Sequence, residues 1–114
     1  MAGIVFTQPP TAVTTSGSTN PLQINAFGAL AVDVAVSAVS GTSPSIALFL
    51  ERQGADGNWY AIWAPTALTA VGTASTSVGP GLATPEVLTN TLRLRWEVTG
   101  TSPNFTVSAS IWAR

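Results

Sequence analysis

From Leu22 onward, apolar and polar positions take turns along the chain. Val32, Val34 and Val36 alternate with Asp33, Ala35 and Ser37, and Ile46, Leu48 and Leu50 with Ala47, Phe49 and Glu51. Further on, Leu92, Leu94, Trp96 and Val98 alternate with Arg93, Arg95 and Glu97, and Phe105, Val107, Ala109 and Ile111 with Thr106, Ser108, Ser110 and Trp112. A period of two is the signature of a strand with one face buried, because successive side chains leave a strand on opposite sides. No window repeats apolar residues at helical spacing, and Thr, Val, Gly and Pro are poor helix formers. The pattern predicts an all-β fold, an antiparallel β-sandwich of Ig-like or jelly-roll-like type.

The punctuation between these runs is readable as well. Gln53-Gly-Ala-Asp-Gly-Asn58 separates two apolar runs, and Asp56-Gly57 is a strong hairpin signal that joins the 46–52 strand to a strand over 59–64. Pro65 ends the latter. Residues 66–90 are ambiguous: Leu68 and Val71 are strand candidates, and Gly79-Pro80-Gly81 with Pro85 marks a long loop or crossover. One tetrapeptide occurs twice, Gly41-Thr-Ser-Pro44 and Gly100-Thr-Ser-Pro103, each with a strand entering and an alternating strand leaving. Gly tolerates a positive φ, Thr and Ser bond the turn backbone, and Pro fixes the exit, so both read as hairpin turns. The phase of alternation before the two copies differs, which argues against a plain duplication.

Residues 1–20 read as an extended N-terminal arm and 21–114 as the sandwich domain. Within the arm, Gly3 to Thr7 suits a short strand, stopped by Pro9-Pro10 because proline cannot donate to a ladder. Residues 11–21 are rich in Ser and Thr and read as extended or mobile. The arm's strand has two homes, the edge of its own sheet or that of a neighbour.

Composition sharpens the picture where charge is concerned. Asp, Glu, Lys and Arg make up 8% of the 114 residues, against about 25% in an ordinary domain. Lysine is missing, and the cations are Arg52, Arg93, Arg95 and Arg114. A net charge of −1 gives no field to attract nucleic acid or an anionic membrane. Mean hydropathy is high, at +0.36, yet the longest candidate run, 26–39, is broken by Asp33, alternates with period two and is shorter than a spanning helix. The segment after Met1 has neither the basic nor the apolar region of a secretory signal. So little charge on a surface favours self-association or a place within an assembly.

Histidine, cysteine and lysine are all absent. That removes the usual general base, the thiol nucleophile and the Schiff-base amine, so the chain is expected not to be an enzyme. Its carboxylates are Asp33, Glu51, Asp56, Glu86 and Glu97, of which Glu51 and Glu97 fall on an outward face among arginines and suit ion pairs. Asp56 and Asn58 around Gly57 resemble a fragment of a calcium loop without its other acidic ligands; an Asx-stabilised turn explains them, and no metal or cofactor is expected. The sequon Asn104-Phe105-Thr106 has no secretion signal to make it relevant. Arg93 and Arg95, with Trp112 placed across a hairpin from them, are read as a partner-facing stripe or an anion clamp.

Trp59, Tyr60 and Trp63 are the most informative aromatics. Trp59 and Tyr60 point to opposite faces, so at least one ring should enter the core. Two readings compete for the other face: stacking on a sugar beside Asp56 and Asn58, or packing against a neighbouring subunit, where Trp and Tyr are enriched. Phe49 lies opposite the Ile46/Leu48/Leu50 face and joins the same argument. The candidate partner-interface residues are therefore Ile4, Phe6, Phe49, Trp59, Tyr60, Trp63, Arg93, Arg95 and Trp112.

Gly-Thr-Ser-Pro followed by an alternating strand, then Asp56-Gly-Asn-Trp-Tyr60, then Leu92-Arg-Leu-Arg-Trp96 and the second Gly-Thr-Ser-Pro, resembles small virion proteins of tailed bacteriophages encoded among head genes. The resemblance covers about residues 31–113 and rests on turn and core signatures. It implies a head decoration or auxiliary capsid protein, a homo-oligomeric β-sandwich located in the virion, assembled in the host cytoplasm and bound to a major capsid protein. It transfers no functional residue. The alternative is a carbohydrate-binding or spacer module of a phage tail or spike.

Overall fold

The computed structural model describes residues 3–23, 28–85 and 91–113, with side chains from residue 6 onward. Within these residues the chain is all-β and its strands form one antiparallel sheet. In chain order they are β1 (Gly3–Val13), β2 (Gly17–Ser18), β3 (Leu22–Gln23), β4 (Leu30–Gln53), β5 (Trp59–Trp63), β6 (Gly72–Val78) and β7 (Thr91–Ala113).

Two very long strands organise everything. β4 and β7 pair antiparallel along almost their whole lengths, from Leu30 opposite Ala113 to Arg52 opposite Leu92. Halfway along, both pass through Gly-Thr-Ser-Pro, and there Thr42 lies opposite Thr101. The two tetrapeptides are thus not hairpin turns, as their sequence suggested. They are facing corners in two paired strands, and the ribbon folds over itself at that point. The Gly, Ser and Pro that close a hairpin also bend a paired strand; only the partner's distance in sequence separates the two outcomes.

The corner has local two-fold symmetry. Gly41 and Gly100 sit at φ 111° and 117°, and Ser43 and Ser102 at 49° and 47°. A Cβ on Gly41 would lie 2.7 Å from the Ser102 carbonyl oxygen and 2.9 Å from Pro103 Cα; one on Gly100 would lie 2.8 Å from the Ser43 oxygen and 2.9 Å from Pro44 Cα. Each copy therefore builds the other's environment, which accounts for the repeated sequence. The difference in phase has a separate cause. The register shifts between Val36 and Ala38, leaving Ser37 as an extra residue on β4, and such a bulge moves the inward set by one position.

Folding at the corner gives two leaves. Leaf A contains β6, residues 30–40 of β4, residues 105–113 of β7, and β1; leaf B contains β5, residues 46–53 of β4, residues 91–99 of β7, and the short β2 and β3. Val32, Val34, Val36, Val78, Phe105 and Ile111 from leaf A form one buried cluster with Ile46, Leu48, Leu50, Ile62, Leu92 and Leu94 from leaf B. The overall extents of 41 × 30 × 22 Å fit two sheets stacked about 10 Å apart with side chains outside. The expected sandwich is present, made by folding one sheet.

The N-terminal segment pairs with its own chain. β1 runs antiparallel to β7 from Gly3 opposite Ala113 to Val13 opposite Phe105. Pro9-Pro10 does not stop it, contrary to the sequence expectation. The register shifts between Gln8 and Thr11, so the prolines sit in an irregularity of an edge strand, where no ladder donor is required. Residues 14–19 then cross from leaf A to leaf B and are held there: Trp96 Nε1 donates to the Thr15 carbonyl at 3.1 Å, Val98 N–H to Ser16 Oγ at 2.9 Å, and Thr19 N–H to the Leu94 carbonyl at 2.9 Å. This stretch, expected to be extended or mobile, is a strap across one edge. The opposite edge is closed by Leu68, which exchanges two backbone hydrogen bonds of 2.9 Å with Ile46. Val71 is exposed and lies outside β6.

Candidate functional site

Outward-facing positions of leaf B carry most of the charge and aromatic surface flagged by the sequence. Glu51 is the centre. Its side chain is 8% exposed and receives Arg93 Nε at Oε1, 2.7 Å, and Arg95 Nε at Oε2, 3.1 Å. Arg95 Nη1 also reaches Glu97 Oε1 at 2.6 Å. The same guanidiniums lie over aromatic rings, Arg93 over Trp59 at 4.3 Å and Arg95 over Phe49 at 4.1 Å. The register explains the layout: Glu51 is opposite Arg93, and Phe49 opposite Arg95, so alternation on two neighbouring strands stacks anion, cation and ring on one side. Every charge is answered within the plate. Both guanidinium Nε donors are directed at Glu51, so the charge an anion clamp would offer is already countered by this carboxylate.

Trp112 is not part of this plate. It belongs to leaf A, at the other end of β7, where it pairs with Ala31. The expected placement across a hairpin from Arg93 and Arg95 fails because the intervening Gly-Thr-Ser-Pro is a corner.

The hairpin at 53–59 forms as its sequence predicts. Gly57 takes φ 84°, and Asp56 makes the expected Asx turn, with Oδ1 accepting from Asn58 N–H at 3.0 Å. Asp56 Oδ2 accepts from Asn58 Nδ2 at 3.1 Å and from the Tyr60 hydroxyl at 2.6 Å. The Tyr60 bond, first, and those from Asn58 hold the Asp56 carboxyl below its usual 3.8. The Tyr60 phenol is pushed above its usual 10.0, because its proton is held by Asp56 and the carboxylate's charge opposes the phenolate.

Neither Trp59 nor Tyr60 enters the core, contrary to expectation. Trp59 lies under Arg93. Tyr60, 42% exposed, finds the Asp56 carboxylate for its hydroxyl and the Arg52 guanidinium 5.2 Å above its ring. At the turn end of the hairpin, polar neighbours replace the apolar ones that lie further along β5. Ile62 is buried instead, and Trp63 packs against the core. The three aromatics do not form a common stacking platform. Phe6 is half-buried against the core, and Ile4 pairs through its backbone with Trp112, its side chain lying outside the described residues, as do Glu86 and Arg114.

The outer face of leaf A is the opposite of the plate. Register places its side chains in three rows: Thr73, Ala35 and Ser108; Ser75, Asp33, Ser110 and Thr7; Ser77, Ala31 and Trp112. Asp33 is its one charge among the described residues, and Trp112, 39% exposed, closes one end beside Leu82 and Ala29. The signal for this face was present in the polar halves of the 32–36 and 105–111 alternations. What the sequence lacked was the partner, since β6 reads Thr-Ala-Ser-Thr-Ser and has no apolar run to mark it.

No protein family model matches the chain, and no curated protein does. Among solved structures, the chain is similar to the VP2 subviral particle of infectious bursal disease virus, with a TM-score of 0.55 at 11% identity over 98% of this chain and 31% of that one. It spans less than a third of the VP2 chain's length. The fold is shared; the sequence is not. The SPBc2 prophage-derived protein YomS aligns with a TM-score of 0.46 at 14% identity, covering 99% of this chain and 92% of YomS, and FLHE with 0.39 at 16%, covering 98% and 90%. At those scores neither supports an argument about topology.

Proposed function

We propose that the chain is a non-enzymatic structural protein of a bacteriophage particle that decorates or cements the shell through contacts of its sandwich. The observation that carries this reading is the outer face of leaf A. It is a sheet surface of small Ser, Thr and Ala side chains, with Asp33 as its one described charge and Trp112 at its end. Small side chains let a partner surface approach closely, hydroxyls accept local hydrogen bonds, and little charge has to be desolvated. Trp112 is the type of residue that anchors such contacts. The fold of a segment of a subunit that builds a subviral particle lends further support, as does the resemblance of the turn and core motifs to phage head proteins.

The plate on leaf B fits the same reading in another role. Its charges are paired internally and its rings are covered by guanidiniums, so it stiffens the leaf and keeps that face from sticking.

Co-sedimentation tests the proposal. The purified chain, added to particles from the organism that encodes it, is expected to pellet with them. Ser75→Arg and Ser110→Arg place charge and bulk on leaf A without touching the core and are expected to abolish pelleting, whereas Glu97→Gln on leaf B is expected to leave it intact. A wild-type chain that stays in the supernatant contradicts the proposal.

A further inference from the structure

Between the leaves, beneath the strap of residues 14–19, lies a slot of about 330 Å³. Its floor comes from both leaves: Val34 and Val107 from leaf A, and Ile46, Leu48 and Leu94 from leaf B, all buried. Protein interiors are otherwise packed to crystal density, with few voids larger than a water molecule. This one is about twice the roughly 150 Å³ of an apolar cavity that holds a benzene. Sequence shows how the room arises. The inward row of β7 reads Phe105, Val107, Ala109, Ile111, and Ala109, the smallest of them, lines the slot.

The chemistry of the lining is selective. No described lining residue is charged. At its rim Ser16 Oγ accepts from Val98 N–H, Thr19 Oγ1 from Leu94 N–H at 3.2 Å, and Thr11 Oγ1 from Gln8 Nε2 at 2.6 Å, and Thr14, Thr15 and Ser18 complete the polar rim. Among the described residues, no buried side-chain nitrogen or oxygen is left without a partner. Water needs two to four polar partners to stay in such a space, and the side chains of the floor, Val34, Ile46, Leu48, Leu94 and Val107, offer none. An apolar molecule needs only the surface.

We propose that the slot is a binding site for a neutral, apolar small molecule of medium alkyl-chain size, held between the leaves under the strap. Charged ligands are disfavoured because nothing in the lining offers a counter-ion. Trp96 is the natural reporter, since its ring lines the slot while its Nε1 pins the strap through Thr15.

The test uses 1-octanol as the probe and the full-length chain labelled with ¹⁵N. Titration is expected to give saturable shifts of the Trp96 indole N–H and of amides in residues 12–19, Val34 and Leu48. Ala109→Leu fills the slot and is expected to weaken binding at least tenfold while keeping a dispersed spectrum. Absence of saturation, shifts centred on Trp112 instead, or unchanged binding by a folded Ala109→Leu chain overturns the proposal. Should Ala109→Leu not fold, xenon-pressurised crystals of the unaltered chain decide it. A xenon atom in the slot supports the site, and a chain of ordered waters in its place overturns it.

Discussion

A methyl group on Gly41 or Gly100 meets backbone, with carbonyl oxygens 2.7 and 2.8 Å away and φ values that L-residues avoid. Gly57 has a positive φ too, but nothing lies within 4 Å of where its Cβ would be. Urea titration should therefore show Gly41→Ala and Gly100→Ala destabilised alike, by about 2–3 kcal/mol, and Gly57→Ala by about 1 kcal/mol. A large difference between the two corner variants would break the two-fold. Glu51 is a buried carboxylate between arginines less than a third exposed, and Glu51→Ala leaves both guanidiniums without their anion, at a cost of about 2 kcal/mol. A double-mutant cycle with Arg93 would register the coupling. Asp56 and Tyr60 give a pH signature. The depressed Asp56 carboxyl adds stability above the unfolded-state pKa, lost as pH falls through its folded value; the raised Tyr60 phenol adds stability below its usual 10.0, lost as pH rises through its folded value. Tyr60→Phe should return the Asp56 titration toward 3.8, read by NMR.

Among the elements, β1 and the Ser37 bulge hold leaf A in its register. β1 covers the edge of β7 and brings Phe6 and Val13 against the core, so deleting residues 1–13 should destabilise the whole sandwich, visible as a lower, broader melt by circular dichroism. Survival of a cooperative melt at the original temperature would make β1 the detachable arm its composition suggested. Deleting Ser37 forces Val32, Val34 and Val36 to the wrong face of leaf A or breaks their pairing, and should abolish cooperative folding. These elements also show what was legible. Four alternating runs announced the halves of β4 and β7, and Asp56-Gly57 announced the β4–β5 hairpin. The corner was hidden, because Gly-Thr-Ser-Pro bends a strand whether its partner is adjacent or far along the chain. β6 was hidden because Thr-Ala-Ser-Thr-Ser at an edge buries too little to show a pattern, and β1 because Pro9-Pro10 masks a strand whose irregular edge tolerates proline.

For the molecule as a whole, the folded ribbon yields two faces of contrasting chemistry. Of the residues the sequence singled out for partner contact, Phe49, Trp59, Arg93 and Arg95 meet each other through Glu51, and Trp63 turns to the core. Among those whose side chains are described, Trp112 stands on the face on which the proposed function rests. Residue types and alternation indicated which side chains point outward, but not which outward side chains satisfy one another, because that depends on the pairing of strands far apart in sequence. A role in the shell is tested by the copy number of this chain in purified particles from its source, by quantitative mass spectrometry. Many copies per particle are expected, in a fixed ratio to the major shell subunit. Absence from the particles, with the chain abundant in the same lysate, would contradict it.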